Sequence, residues 1–142
     1  MKVGHIITKQ LATITSDKGM LEAAQMMVEK NVGLLVILDS GDSTKLVGVL
    51  SERDIIRSLA AGKSLSVRVG DVGTRNVVTV KVNSDVAEAA KAMNRNRIRP
   101  VVVVDDNGKT TGVVSMRDLV GERATLKAIL ASHEKEVFVG GD

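Results

Sequence analysis

Two copies of one short motif contain the residues of this chain best suited to bind a ligand. The stretch GVLSERD covers residues 48–54, and GVVSMRD covers residues 112–118. Each copy ends on a serine hydroxyl, an arginine guanidinium and an aspartate carboxylate. A guanidinium offers phosphate a planar fork of donors, and a carboxylate accepts hydrogen bonds from the hydroxyls of a ribose. The motif therefore predicts a nucleotide site at each copy.

The same spacing is also that of a helix capping box. Ser51 and Asp54, or Ser115 and Asp118, would each satisfy a backbone N–H of the other residue at the start of a helix. Such a cap needs neither the glycine three positions before the serine nor the arginine just before the aspartate. A helix N-terminus also attracts anions, because its free N–H groups carry partial positive charge. The residues alone leave both interpretations open, a cap only and a cap that is also a ligand site.

The duplication extends well beyond the motif and predicts the elements that position it. Residues 11–39 align with residues 77–105, and a two-residue length difference falls in the turns that follow, at 39–46 and 105–110. Each copy contains, in order, a β-rich stretch, a helix, two strands and a second helix. We therefore expect an α/β (α+β) fold of two β-α-β-β-α repeats, packed about a pseudo-twofold axis so that each buries its apolar helix face.

The first helix of each copy has one apolar face at helical spacing. Unbroken β-favouring runs follow at Leu34–Leu38 and Val101–Val104, as in strands that are covered on both sides. We expect the first repeat, with its N-terminal strand, to span residues 1–66, the second 67–124, and a C-terminal helix and tail 125–142. The predicted helix faces are Met20, Ala23, Ala24 and Met27 in the first copy and Val86, Ala89, Ala90 and Met93 in the second.

The amino-acid composition argues against several classes of function. The chain of 142 residues has no cysteine and two histidines, which leaves no thiol nucleophile and no predicted metal site. Its net charge of +3 is spread along the chain and it has a single aromatic residue, so the charge and stacking features of nucleic-acid binders are weak. No apolar run approaches the length of a membrane span. We expect a cytoplasmic protein that is not an enzyme, because the motif has no His, Cys or Lys to activate its serine.

The repeated residues resemble the cystathionine-β-synthase (CBS) domain, which occurs in tandem pairs called Bateman modules. The resemblance covers Thr8 to about Arg123. It rests on the two Gly-hydrophobic-x-Ser-x-x-Asp stretches, on TRNVVTV beginning at Thr74 and on RIRPVVVVD beginning at Arg97. The chain looks like a free-standing CBS pair from a prokaryote.

The resemblance implies two ligand clefts between the repeats. In each cleft an aspartate would hold the ribose hydroxyls, and a serine and an arginine would meet phosphate or ribose oxygens. The first set is Asp54, Ser51 and Arg53, completed by Thr74 and Val78; the second is Asp118, Ser115 and Arg117, completed by Thr8 and Ala12.

Three further features of the clefts are implied by the same resemblance. Backbone groups near Ala12 and Val78 would face the adenine edge. Arg97 would contact phosphate, assisted by Arg99, and the first repeat has no arginine at the matching positions. The two clefts should therefore differ in phosphate affinity, and we expect the Asp118 cleft to dominate.

The resemblance also implies a function. Members of the family bind AMP, ADP, ATP or S-adenosylmethionine and often pair as disc-like dimers. We therefore expect a homodimeric regulatory module that senses AMP, or ADP or ATP, and acts on an unknown partner in trans, with no required cofactor and no membrane partner. A sensor of S-adenosylmethionine, a nucleic-acid-binding module and a purely structural dimerisation module are the alternatives.

Overall fold

The computed structural model describes residues 1–7, 11–96, 101–114 and 130–131. Two compact units divide the chain. One unit, the L unit, is the continuous segment Leu11–Val77. The other, the N/C unit, combines Met1–Gln10 with Val78–Asp142. Each unit contains one three-stranded sheet, so the predicted α/β fold class is confirmed.

The L unit contains the five elements predicted for the first repeat, in the predicted order. Its sheet has the order β1-β2-β3, with β1 parallel and β3 antiparallel to the central strand β2. The parallel pair is joined by a helix and the antiparallel pair by a turn, as the two kinds of pairing require. The elements are β1 (Thr13–Thr15), α1 (Met20–Lys30), β2 (Leu34–Leu38), β3 (Leu46–Ser51), α2 (Glu52–Ala60) and a short α3 (Val69–Val72).

Helix α1 follows the predicted periodicity. Met20, Ala23 and Met27 are buried, whereas Ala24 is only half-buried at the edge of the apolar face. The helix ends at Asn31, which has a left-handed backbone (φ 52°) and donates its N–H to the carbonyls of Met27 and Val28. Asparagine tolerates this conformation better than most residues do, which explains why the helix stops there.

The N/C unit repeats the same sheet. Its strand β4 (Thr79–Lys81) is parallel to β5 (Val101–Val104), and β6 (Thr110–Val114) is antiparallel to β5. Helix α4 (Val86–Asn96) buries all four predicted apolar positions, and every residue of β5 is buried. The predicted turn before β6 contains Gly108 with a positive φ of 80°. The second helix of this repeat and the predicted C-terminal helix lie outside the described residues, except that Leu130 and Ala131 are helical.

The short helix α3 is an element that the sequence analysis does not predict. The N–H of Val69 donates to Lys18 and that of Gly70 donates to Ser16, and the side chain of Val69 is fully buried in the L unit. A single 3-10 turn at Val3–His5 holds the matching position in the N/C unit. There the N–H groups of Val3 and Gly4 donate to the carbonyls of Ser84 and Val82. Each unit thus contains the short helical turn that precedes the first strand of the other repeat.

Within the described ranges no helix is both long and apolar enough to cross a membrane. The same ranges contain no group of three or more His, Cys, Asp or Glu side chains arranged to hold a metal ion.

Candidate functional site

The Ser51–Asp54 corner, which joins β3 to α2, is a complete capping box. The Ser51 hydroxyl oxygen accepts from the backbone N–H of Asp54 at 3.2 Å, and Asp54 Oδ2 accepts from the N–H of Ser51 at 2.9 Å. The corner therefore has the structural role that its spacing allows. This role uses one carboxylate oxygen of Asp54, and among the described residues no donor is bonded to the other oxygen, Oδ1.

The side chains of the corner differ in exposure. Ser51 and Asp54 are half-buried, whereas the guanidinium-bearing side chain of Arg53 is exposed. Within the described part of the chain Arg53 forms no ion pair. The free oxygen of the half-buried Asp54 carboxylate can accept hydrogens from ligand hydroxyls, and the exposed guanidinium of Arg53 can donate to ligand oxygens.

Gly48, the first residue of the motif, is required by packing. A Cβ at this position would collide with the carbonyl group of Thr74, and would lie 3.3 Å from the Cα of Arg75. Gly112 is in a similar position in the N/C unit, where a Cβ would come within 3.1 Å of the Cβ of Ile7. The glycine that a capping box does not need is thus explained by a close backbone approach, and it is not evidence for a ligand.

That close approach brings Thr74 to the corner. The N–H of Thr74 donates to the carbonyl of Val49 at 2.8 Å, and the N–H of Val49 donates back to Thr74 at 3.0 Å. Val49 lies two residues before Ser51, so Thr74 and the Ser51–Asp54 corner occupy the same end of β3. The Thr74 side chain is exposed there. Of the residues predicted for the Asp54 cleft, the L unit brings together Ser51, Arg53, Asp54 and Thr74.

Arg75 is a residue of this region that sequence reasoning missed. Its guanidinium donates to the carbonyl of Gly70 through Nε at 3.1 Å and through Nη2 at 2.7 Å. The side chain therefore ties the segment that contains Thr74 to helix α3. An arginine directly after a predicted binding residue, in the TRNVVTV stretch, was the available signal.

Ala12 and Val78 take equivalent places in the two sheets. The carbonyl of Ala12 accepts from the N–H of Val36, and that of Val78 accepts from the N–H of Val102. Ala12 is buried and Val78 is half-buried. Both residues lie just before the edge strands β1 and β4. The carbonyls of both residues are therefore already bonded within the sheets. The predicted contact with an adenine edge would have to come from other backbone groups of these segments.

The remaining predicted site residues lie outside the described residues. They are Thr8, Arg97, Arg99, Ser115, Arg117 and Asp118.

Comparison with known proteins identifies the repeated unit. The model of the CBS domain matches residues 3–61 and again residues 69–124. An uncharacterised 17.7 kDa protein of Acidianus ambivalens is 34% identical over 118 residues, which are 83% of this chain and 70% of that protein. These matches confirm the resemblance that the sequence motifs carry.

Two solved structures are similar to the whole fold. A CBS domain protein from Pyrobaculum aerophilum, complexed with AMP, has a TM-score of 0.86 at 31% identity, covering 92% of this chain and 99% of that one. Another CBS domain pair, solved in complex with 5′-methylthioadenosine and S-adenosyl-L-methionine, has a TM-score of 0.75 at 31% identity, covering 85% of this chain and 94% of that one.

Proposed function

The chain belongs to the CBS domain family, and from this premise we propose that it is a regulatory module that binds an adenine nucleotide. AMP is the primary ligand of the proposal, with ADP and ATP as related ligands. The observation that carries it is the AMP complex of the similar Pyrobaculum aerophilum protein. The free Oδ1 of Asp54 supports the nucleoside part of this proposal, since a carboxylate oxygen accepts hydrogen bonds from ribose hydroxyls.

The module acts by binding and not by catalysis. A catalytic serine needs a base within reach and a third group that orients the base. Ser51 is instead bonded to a backbone N–H, and the acid beside it is the partner in the capping box. Ligand binding shifts the balance between conformations of the module, and a separate partner protein responds to that shift.

Thermal unfolding with and without ligand tests this proposal. A ligand present at one hundred times its Kd stabilises the folded state by about 2.7 kcal/mol. For a chain of this size we expect a rise in Tm of roughly 10 °C with millimolar AMP. Because the chain has no Trp or Tyr, unfolding is best followed by circular dichroism. Inorganic phosphate at the same concentration is the matched control, and an unchanged Tm with AMP, ADP, ATP and S-adenosylmethionine would refute the proposal.

A sensor of an S-adenosyl compound is the second candidate. It is favoured by the similar CBS pair that was solved with 5′-methylthioadenosine and S-adenosyl-L-methionine. The same unfolding experiment separates the two candidates, because the preferred ligand gives the larger Tm shift at equal concentration.

We further propose that the module is a homodimer. Helices α1 and α2 of the L unit carry large apolar side chains that their own sheet leaves exposed. Val28 is 82% and Ile56 is 64% exposed, and Leu21 and Leu59 are each 48% exposed. Exposed apolar side chains grouped on neighbouring helices are typical of a protein interface.

A further inference from the structure

Glu52 is the charged residue between Ser51 and Arg53 in the Ser51–Asp54 corner. It is the first residue of helix α2, and its backbone N–H donates to the carbonyl of Gly33 at 3.1 Å. A Cβ at position 33 would collide with Glu52 Oε1 and lie 3.2 Å from its Cδ. The Glu52 carboxylate therefore lies directly against the backbone of Gly33, beside the start of α2.

The start of α2 is consequently a poor place for a phosphate. A helix N-terminus binds anions through free N–H groups and through the positive end of its dipole. Here the N–H groups of Ser51, Glu52 and Asp54 all have acceptors within the protein. The first turn also holds two carboxylates, those of Glu52 and Asp54. Three of the four N–H groups of residues 51–54 therefore already have acceptors, and two carboxylates lie near the positive end of the helix dipole.

The second copy of the motif differs at these same positions. Met116 takes the place of Glu52, and Arg99 takes the place of Gly33. In sequence, the second copy therefore has no acid at the position that matches Glu52 and has a base at the position that matches Gly33. The two motif copies are alike in Ser, Arg and Asp, and they differ in the charge of the residues at these two positions.

We propose that Glu52 is a specificity-determining residue that makes the Asp54 corner select an uncharged or cationic nucleoside and reject a nucleoside phosphate. This inference rests on the proposed function, because it requires Asp54 to bind the ribose of a ligand. The Glu52 carboxylate repels a phosphoryl group attached to that ribose, whereas it leaves adenosine unaffected and attracts a cationic substituent such as a sulfonium.

Calorimetric titration of the full chain with adenosine and with AMP tests the inference. All titrations use a parent variant that carries Asp118→Asn. This substitution weakens ligand binding at the second motif copy, so that binding at the Ser51–Asp54 corner is measured. We expect this parent to bind adenosine at least about tenfold more tightly than AMP, since like charges brought together at a binding site cost that much or more. Adding Glu52→Gln to this parent should lower the Kd for AMP about tenfold and change the Kd for adenosine by less than about twofold. Glu52→Met, which introduces the residue of the second copy, should do the same.

Glu22→Gln is the matched control. Glu22 is an exposed acid in the first turn of α1. Its substitution therefore removes the same charge from the start of a helix that is not part of the corner. It should leave both affinities unchanged. If the Glu52 variants fold poorly, the salt dependence of the parent provides the test. Its preference for adenosine should shrink as added salt screens the carboxylate.

The outcomes separate this inference from the proposed function. Equal affinity of the parent for AMP and adenosine, or AMP binding that Glu52→Gln leaves unchanged, overturns the role of Glu52. A parent that binds neither compound, while the natural protein binds AMP, also overturns it and leaves the proposed function standing. If the natural protein binds no adenine compound, the proposed function fails as well.

Discussion

Gly48 and Asp54 lie in one motif but have different physical roles. Gly48 is a glycine because the backbone of Thr74 crosses directly above it. Asp54 completes the helix cap through one carboxylate oxygen, and among the described residues no donor is bonded to the other. A capping box and a ligand site are therefore compatible at this corner, because capping uses only one of the two carboxylate oxygens.

At the residue scale, Gly48→Ala should destabilise the protein by about 1–3 kcal/mol, because the added Cβ forces backbone atoms apart. Thr74 and Gly48 are both fixed in hydrogen-bonded segments, so neither can move without loss. Chemical denaturation followed by circular dichroism measures the change. Gly41→Ala is the control, because its Cβ would meet only the carboxylate of the half-buried Asp39, at 3.3 Å, and it should cost less than about 1 kcal/mol.

A second pair of variants separates capping from binding. Ser51→Ala removes the acceptor for the Asp54 N–H and should cost about 1 kcal/mol of stability. Asp54→Asn keeps a side-chain oxygen for the Ser51 N–H, so its stability loss should be smaller, but it removes the charge that the proposed function assigns to binding ribose hydroxyls. Denaturation curves and the Tm shift with adenosine measure the two effects, both in the Asp118→Asn background so that the second motif copy does not contribute. If Asp54→Asn retains the full Tm shift, the carboxylate has only the capping role.

At the scale of elements, α2 and α3 show how the corner is built from distant segments. Helix α2 begins at the corner because Ser51 and Asp54 satisfy its first N–H groups. Helix α3 packs Val69 into the core of the L unit and so fixes the path of the chain toward Thr74. Two backbone hydrogen bonds then join Thr74 to Val49. The site thus depends on a helix of only four residues, which has little stability of its own.

Arg75→Gln should loosen this arrangement. The substitution removes the charged donor that makes two hydrogen bonds to Gly70, and we expect a loss of about 1 kcal/mol of stability. Hydrogen exchange of the Val49 and Thr74 amides should be faster as well, because their segment is no longer tied to α3. Arg57→Gln, an exposed arginine in the last turn of α2, is the control. Unchanged exchange at both amides would contradict the role given to Arg75.

At the scale of the whole molecule, the two repeats are alike in fold but not in surface. Val28 of α1 is exposed and apolar, whereas Asn94 at the matching position of α4 is exposed and polar. The apolar surface of α1 is thus not repeated at this position of α4. Sequence duplication therefore preserves the buried faces of these helices and lets their outer faces diverge, because only the buried positions are constrained by packing.

Ile56→Asp should convert the proposed homodimer into a monomer. A carboxylate buried in an apolar interface without a partner costs several kcal/mol, whereas on an exposed helix face it costs little. Sedimentation equilibrium gives the mass of each variant. Arg57→Asp changes the next, exposed residue and should preserve the dimer. A natural protein that sediments as a monomer at all accessible concentrations would remove the basis for this proposal.

The repeat, its β-α-β-β-α order and the buried helix faces were all available from the sequence. Each depends on local periodicity, which the order of residues determines directly. The capping box at Ser51 was equally readable, since its two partners are three residues apart. Predictions at this range succeed because the interacting groups are close in the chain.

Only the tertiary structure decided three features of the corner. They are the requirement for glycine at position 48, the packing of helix α3 and the contact of Glu52 with Gly33. Each joins residues that are distant in sequence: Gly48 meets Thr74, Val69 enters the core beside Lys18, and Glu52 covers Gly33. No local pattern specifies such pairs, because they arise only when separate segments are packed into one core. The sequence determined which residues stand at the Ser51–Asp54 corner, and the packing determined which groups from distant segments surround them.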